Sequence, residues 1–146
     1  QLNATASNDV SAIQKIRDMG GLELVMPAAF ADMGDCNSAE YQGRTVVEFP
    51  LTGVSITLPT GLAGDFNAMT FSEQIPGPTL RVTQGDVVKM TLTVPDGEPT
   101  PHGNDMHASQ VTAVPTFGAV QPGTSKTYCY IAQVPGVYKY HCSGVN

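Results

Sequence analysis

Histidine and cysteine side chains are concentrated in two short segments near the end of the chain. The first segment places His102, Asp105 and His107 in one loop, and the second ends in the neighbours His141 and Cys142. Two imidazoles and a thiolate are the ligand set of a trigonal copper centre, because thiolate favours Cu(I) and imidazole suits both oxidation states. Since neighbours on a strand point to opposite faces, His141 and Cys142 are placed to serve two different metal ions.

The elements that position these residues are short β-strands. From Arg44 onward, apolar runs alternate with Pro-, Gly- and Asp-containing turns, which is typical of an antiparallel sandwich or barrel. The clearest run is 87–94, where Val88, Met90, Leu92 and Val94 alternate with polar residues. This alternation predicts a strand with one buried face and one solvent-exposed face. The predicted strands are 44–49, 54–58, 69–71, 79–82, 87–94, 110–114, 125–131 and 137–141.

The first part of the chain has a helical rather than a strand-like pattern. Ser7 or Asn8 is placed to cap a helix over 9–19, which Gly20 and Gly21 would end. We therefore predict a partly helical N-terminal extension over 1–43 and one all-β domain over 44–146.

Composition and charge exclude several function classes. The chain has 146 residues and a formal net charge of −6, without a cluster of Lys or Arg, which argues against nucleic acid as a partner. It has no Gly-rich phosphate loop, which argues against nucleotide chemistry. No apolar run approaches the ~20 residues of a membrane helix, so we expect no membrane partner.

The stretch from about Arg44 to the end resembles the cupredoxins, and specifically the first domain of copper-containing nitrite reductases in the multicopper oxidase superfamily. The resemblance is carried by the Pro-Gly-Pro strand entry within 71–82, Gly85-Asp86, Gln-Pro-Gly at 121–123, and Pro-Gly-Val-Tyr-Lys-Tyr-His-Cys at 135–142. Its most specific part is His-x-x-Asp-x-His at 102–107 together with the terminal His-Cys. The resemblance implies a Greek-key cupredoxin sandwich.

The resemblance also implies a role for each site residue. His102 and Cys142 match ligands of a type 1 copper, and His107 and His141 match ligands of a type 2 copper. Asp105 matches the residue that hydrogen-bonds nitrite and relays protons, so Asp105 and His107 are the expected catalytic residues. The implied reaction is the one-electron reduction of nitrite to nitric oxide, with electrons passing from type 1 to type 2 copper. Nitrite, a small electron-donor protein, a homotrimeric assembly and an exported or periplasmic location are expected with it.

The chain also departs from the family pattern. The second type 1 histidine and the axial methionine are expected beyond Cys142, and the third type 2 histidine in another domain, so we expect a longer polypeptide or another chain to supply them. Ser143 stands where a laccase-type trinuclear site would need histidine, which disfavours that chemistry. The alternatives are an electron-transfer cupredoxin with type 1 copper alone, a fragment of a two-domain multicopper oxidase, and a metal-free interaction module.

The remaining cysteines, Cys36 and Cys129, have two interpretations. If Cys142 is a copper ligand, the other two are able to form a disulfide that ties the N-terminal arm to the core. Two free thiols are the alternative.

Overall fold

The computed structural model describes residues 32–33, 36–61, 64–110 and 118–143. Within these residues the fold is all-β, as predicted, and the only helical segments are two three-residue 3-10 turns, Ala39–Tyr41 and His107–Ser109. The strands are β1 (Asp32–Met33), β2 (Val46–Pro59), β3 (Asp65–Phe71), β4 (Val87–Val94), β5 (His102–Gly103), β6 (Asp105–Met106), β7 (Ala119–Val120), β8 (Thr124–Ile131) and β9 (Tyr140–His141). The predicted helix over 9–19 lies outside the described residues. No helix in the described part is long and apolar enough to cross a membrane.

A five-stranded sheet in the order β1-β8-β4-β2-β3 forms the main layer. β4 lies at its centre, and its alternation is confirmed: Val88, Met90, Leu92 and Val94 are buried, whereas Thr93 is exposed. The predicted antiparallel arrangement is only partly correct, because β2 and β4 are parallel. The long connection between them, which includes β3, gives the chain room to return in the same direction.

Two predicted strands, 44–49 and 54–58, merge into the continuous strand β2. The reason is that β2 changes partner halfway along. Its first half, Val46 to Thr52, pairs with β4, and its second half, Gly53 to Pro59, pairs with β3. The change of partner falls between Thr52 and Gly53, within the interval that separates the two predicted strands.

The predicted strand 79–82 is wrong. This segment makes no strand pairing, and together with residues 136–140 it lines an open groove of about 590 Å³. A hydrogen bond from the Tyr140 hydroxyl to the carbonyl of Pro78, at 2.6 Å, holds the two sides together. The predicted strand 110–114 lies mostly outside the described residues, and Gln110 itself has a φ of 57° that ends the 3-10 turn before it.

The segment before β2 is fastened to β8. The structure contains the Cys36–Cys129 disulfide, which settles the open question of these two cysteines. Cys129 is fully buried, and the hydroxyl of Tyr41 donates to its carbonyl oxygen at 3.0 Å. Because residues alternate along β8, Cys129 faces this small cluster, whereas Tyr128 and Tyr130 face the main core. The predicted domain boundary at residue 44 stays a prediction.

Two small sheets position the candidate site. β5 pairs with β7, which sets His102 opposite Val120, and β6 pairs with β9, which sets Asp105 opposite His141. The 3-10 turn that follows β6 then begins at His107. The 102–107 loop and the end of the chain's last described strand are thereby brought to one place.

Candidate metal centre

Pairing between β6 and β9 assembles a cluster of three potential metal ligands, Asp105, His107 and His141. Asp105 and His141 are direct partners in the strand register. The backbone amide of His107 donates to the carbonyl of Lys139 at 3.3 Å, which holds the start of the turn against β9. Three of the residues predicted from the sequence therefore lie together, although they are up to 36 positions apart along the chain.

The distances within this cluster suit a transition-metal ion. His107 Nε2 and His141 Nε2 are 3.0 Å apart, and Asp105 Oδ2 lies 3.6 Å from each. A point equidistant from all three atoms lies about 2.0 Å from each of them, which is a normal metal–nitrogen and metal–oxygen bond length. Imidazole and carboxylate donors at this spacing fit copper, zinc or iron.

One ring of the cluster has its tautomer fixed. His141 Nδ1 is 2.9 Å from the carbonyl oxygen of Cys142. A carbonyl only accepts, so Nδ1 carries the hydrogen and Nε2 has the lone pair that faces the cluster. Metal-binding histidines commonly orient their second nitrogen in this way.

The cluster is open to solvent. The side chains of His107 and His141 are 40% and 45% exposed, and that of Asp105 is 22% exposed. An ion held by these three groups would therefore keep coordination positions free on the solvent side.

His102 occupies a different environment. Its side chain is only 2% exposed and lies against Gly53 of β2, where an added Cβ would be 2.8 Å from the Cβ of His102. Its Nε2 is 3.1 Å from Glu98 Oε1. His102 is therefore not part of the cluster that contains His107.

Cys142 lies on the His102 side. Its sulfur accepts a hydrogen bond from the amide of Gly103 at 3.4 Å, and it is a free cysteine. Within the described residues, His102 and Cys142 do not belong to a group of three close ligands, whereas the neighbouring His141 does. Adjacent residues His141 and Cys142 therefore reach different surroundings.

Glu98 and Ser55 are residues that the sequence analysis missed. Glu98 accepts from the Ser55 amide at 3.0 Å and from the Ser55 hydroxyl at 2.5 Å. Burial alone would raise the pKa of Glu98, but these hydrogen bonds and the one from His102 outweigh it, so the pKa lies below its usual value. Nothing in the sequence marks this pair, because Ser55 and Glu98 are 43 residues apart.

Comparison with known proteins finds similarity to copper-containing nitrite reductases and multicopper oxidases. No protein-family model matches the chain. The copper-containing nitrite reductase of Rhizobium meliloti is 35% identical over 103 residues, which cover 69% of this chain and 27% of that protein. The solved copper nitrite reductase of Nitrosomonas europaea is 34% identical with a TM-score of 0.63, over 68% of this chain and 35% of that one. A multicopper oxidase structure is 26% identical with a TM-score of 0.59, over 77% of this chain and 39% of that one. The chain thus spans about a third of the length of these relatives.

Proposed function

Because this chain is a cupredoxin domain that resembles the first domain of copper-containing nitrite reductases, we propose that it takes part in reducing nitrite to nitric oxide. In this proposal His107 and His141 hold a type 2 copper, and His102 and Cys142 contribute to a type 1 copper. The observation that carries the proposal is the Asp105–His107–His141 cluster, whose three ligand atoms lie within 4.8 Å of one another.

The cluster's residues have separate tasks in this reaction. Nitrite takes up one electron and two protons, one N–O bond breaks, and nitric oxide and water are released. Copper supplies the one-electron chemistry and the Lewis acidity toward a bound oxyanion. The Asp105 carboxylate is half-buried and lies beside both imidazoles, so it can take a proton from solvent and donate it to a substrate oxygen.

The backbone between His141 and Cys142 is the proposed connection between the two copper sites. His141 Nδ1 is hydrogen-bonded to the carbonyl oxygen of Cys142, so the ring of one proposed ligand contacts the backbone of the other. This short path supports the expected transfer of electrons from the Cys142 side to the His141 side.

The partners are proposals of the same kind. The exposure of His107 and His141 leaves room for nitrite and for a ligand from another domain or subunit, in keeping with a homotrimer. A small electron-donor protein would deliver the electron. The Cys36–Cys129 disulfide supports an exported or periplasmic location, because disulfides persist in oxidising compartments. The proposal includes a Greek-key topology for the sandwich and a partly helical extension over 1–43.

The test compares three single variants with the wild-type protein. His107→Ala should abolish nitric oxide formation from nitrite with a reduced dye as donor, while the thiolate-to-copper absorption persists. His102→Ala should lose that absorption. Asp105→Asn should retain copper but form nitric oxide far more slowly, because the amide cannot relay a proton.

Each rival function predicts a different result. An electron-transfer cupredoxin would form no nitric oxide, and its thiolate-to-copper absorption and electron transfer would be the same with and without His107. A multicopper oxidase fragment would support dioxygen consumption and no nitric oxide formation. A metal-free interaction module would retain no stoichiometric copper after treatment with Cu(I) or Cu(II), and this outcome would refute the proposal.

A further inference from the structure

The carboxylate of Glu98 is nearly as buried as the histidine it contacts. The Glu98 side chain is 7% exposed and that of His102 is 2% exposed. A buried carboxylate needs hydrogen-bond donors on both oxygens. Ser55 of β2 provides two of them: its amide donates to Oε2 and its hydroxyl is paired with Oε1.

This arrangement determines which nitrogen of His102 carries its hydrogen. The third partner of Glu98 is His102 Nε2, at 3.1 Å from Oε1. An ionised carboxylate only accepts, so Nε2 must donate. Nδ1 is then the nitrogen with the lone pair, and it makes no hydrogen bond to any residue that the structure describes.

Gly53 also constrains the position of the ring. A Cβ at this position would lie 2.8 Å from His102 Cβ and 2.9 Å from His102 Cγ, closer than real contacts allow. Gly53 and Ser55 are two residues apart on β2 and therefore share a face of the strand. One stretch of β2 thus supports the imidazole directly through Gly53 and, through Ser55, the carboxylate that orients it.

We propose that Glu98 is a positioning residue for His102, which holds the imidazole as its Nε2–H tautomer and leaves Nδ1 as the metal-binding nitrogen. The inference rests on the proposed function only in naming copper as the ion that Nδ1 would bind. The tautomer itself is a property of the metal-free chain.

The substitution Glu98→Gln gives a sharp test, because it should reverse the tautomer. The Ser55 amide can only donate, so the amide oxygen of the new side chain must take the place of Oε2. Its NH₂ group then faces His102 Nε2, which has to accept and give up its hydrogen to Nδ1. Glu98→Ala, which removes the partner altogether, should give a mixture of both tautomers.

The measurement is long-range ¹H–¹⁵N correlation NMR of the metal-free chain at about pH 8. His102 is assigned by comparison with His102→Gln. Glu48→Gln is the matched control, because Glu48 is exposed and pairs with Lys89 on the same sheet. We expect Nε2–H in the wild type and the control, and Nδ1–H in Glu98→Gln. An Nδ1–H tautomer in the wild type, or no change in either Glu98 variant, would overturn the proposal.

A Cu(I) competition titration separates this proposal from the proposed function. Loss of a hydrogen-bonding partner of a metal ligand typically lowers metal affinity about 10–100-fold, and we expect that loss in Glu98→Gln but not in Glu48→Gln. Unchanged Cu(I) affinity alongside a reversed tautomer would overturn the metal-binding role of Nδ1. A wild-type chain that shows the expected tautomers but binds no Cu(I) through His102 would support positioning by Glu98 and refute the type 1 assignment.

Discussion

Removal of the Cys36–Cys129 disulfide should destabilise the domain by several kcal/mol. The bridge joins residues 93 positions apart, with 5.6 Å between their Cα atoms. For a loop of this length, the loss of chain entropy in the unfolded state corresponds to about 4.6 kcal/mol at 25 °C. Measured values are usually smaller, so we expect a loss of about 2–4 kcal/mol in the free energy of unfolding.

Two other contacts determine how the destabilised chain behaves. Without the disulfide, the segment around Cys36 is still held by the hydrogen bond from Tyr41 to the Cys129 carbonyl and by the pairing of β1 with β8. Neither contact involves the sulfur atoms. We therefore expect the Cys36→Ala/Cys129→Ala variant to fold, with faster amide exchange in residues 36–41 than in β4.

The assay is urea denaturation followed by far-UV circular dichroism, with and without reductant. Reduction of the wild-type protein should lower its stability toward that of the double variant and leave the double variant unchanged. Cys142→Ala, which retains the bridge, is the control for removal of a thiol. A difference below about 1 kcal/mol between oxidised wild type and double variant would refute the reasoning, because the cross-link would then add little to the other contacts.

Three further predictions follow from the same structure. Gly53→Ala should lower stability by about 1–3 kcal/mol and shift the His102 imidazole signals, because its Cβ would overlap His102; an unchanged melting temperature and unchanged signals would contradict the close packing. Burial disfavours the ionised phenolates of Tyr128 and Tyr130 and raises their pKa to about 12 from the ordinary 10, so the free energy of unfolding should fall as the pH rises from 10 to 12, by on the order of 2 kcal/mol for each residue. The part of the phenolate absorbance that is absent from Tyr128→Phe/Tyr130→Phe should accordingly appear together with unfolding, and its appearance near pH 10 in a folded chain would refute the shift. Zn(II) at a hundredfold excess over its Kd should raise stability by about 2.7 kcal/mol in the wild type and not in His107→Ala/His141→Ala, and an equal rise in both would place the ion elsewhere.

The sequence predicted the parts of this molecule that depend on local pattern. Strand β4 follows from strict alternation, because one face lies on the core. Asp105, His107 and His141 were singled out by the residue types in the 102–107 loop and at 141–142 together with the family resemblance, and their ligand atoms lie close together in the structure. Their roles stay predictions.

What the sequence could not predict depends on distant partners. The continuity of β2 arises because two different strands pair with its halves, and neither partner is visible from the local sequence. The segment 79–82 resembles a strand because Leu80 and Val82 alternate with polar residues, but no described strand pairs with it. Glu98 lies four residues before His102, a spacing that signals contact only on a helix, and this segment is a loop.

The two candidate metal environments, at His102 and at the Asp105–His107–His141 cluster, differ in burial. This difference affects where further ligands for each ion would come from. His102 is buried, supported by β2 and oriented by Glu98, so its surroundings are built within this domain. The side chains of His107 and His141 are 40% and 45% exposed. An ion bound at the exposed cluster would meet solvent on its other side, where a substrate or a residue of another domain or subunit can enter. The surroundings of His102 therefore depend on the fold of this domain, whereas the cluster of His107 and His141 is suited to share its ion with another domain or subunit. The peptide bond between His141 and Cys142 connects the two.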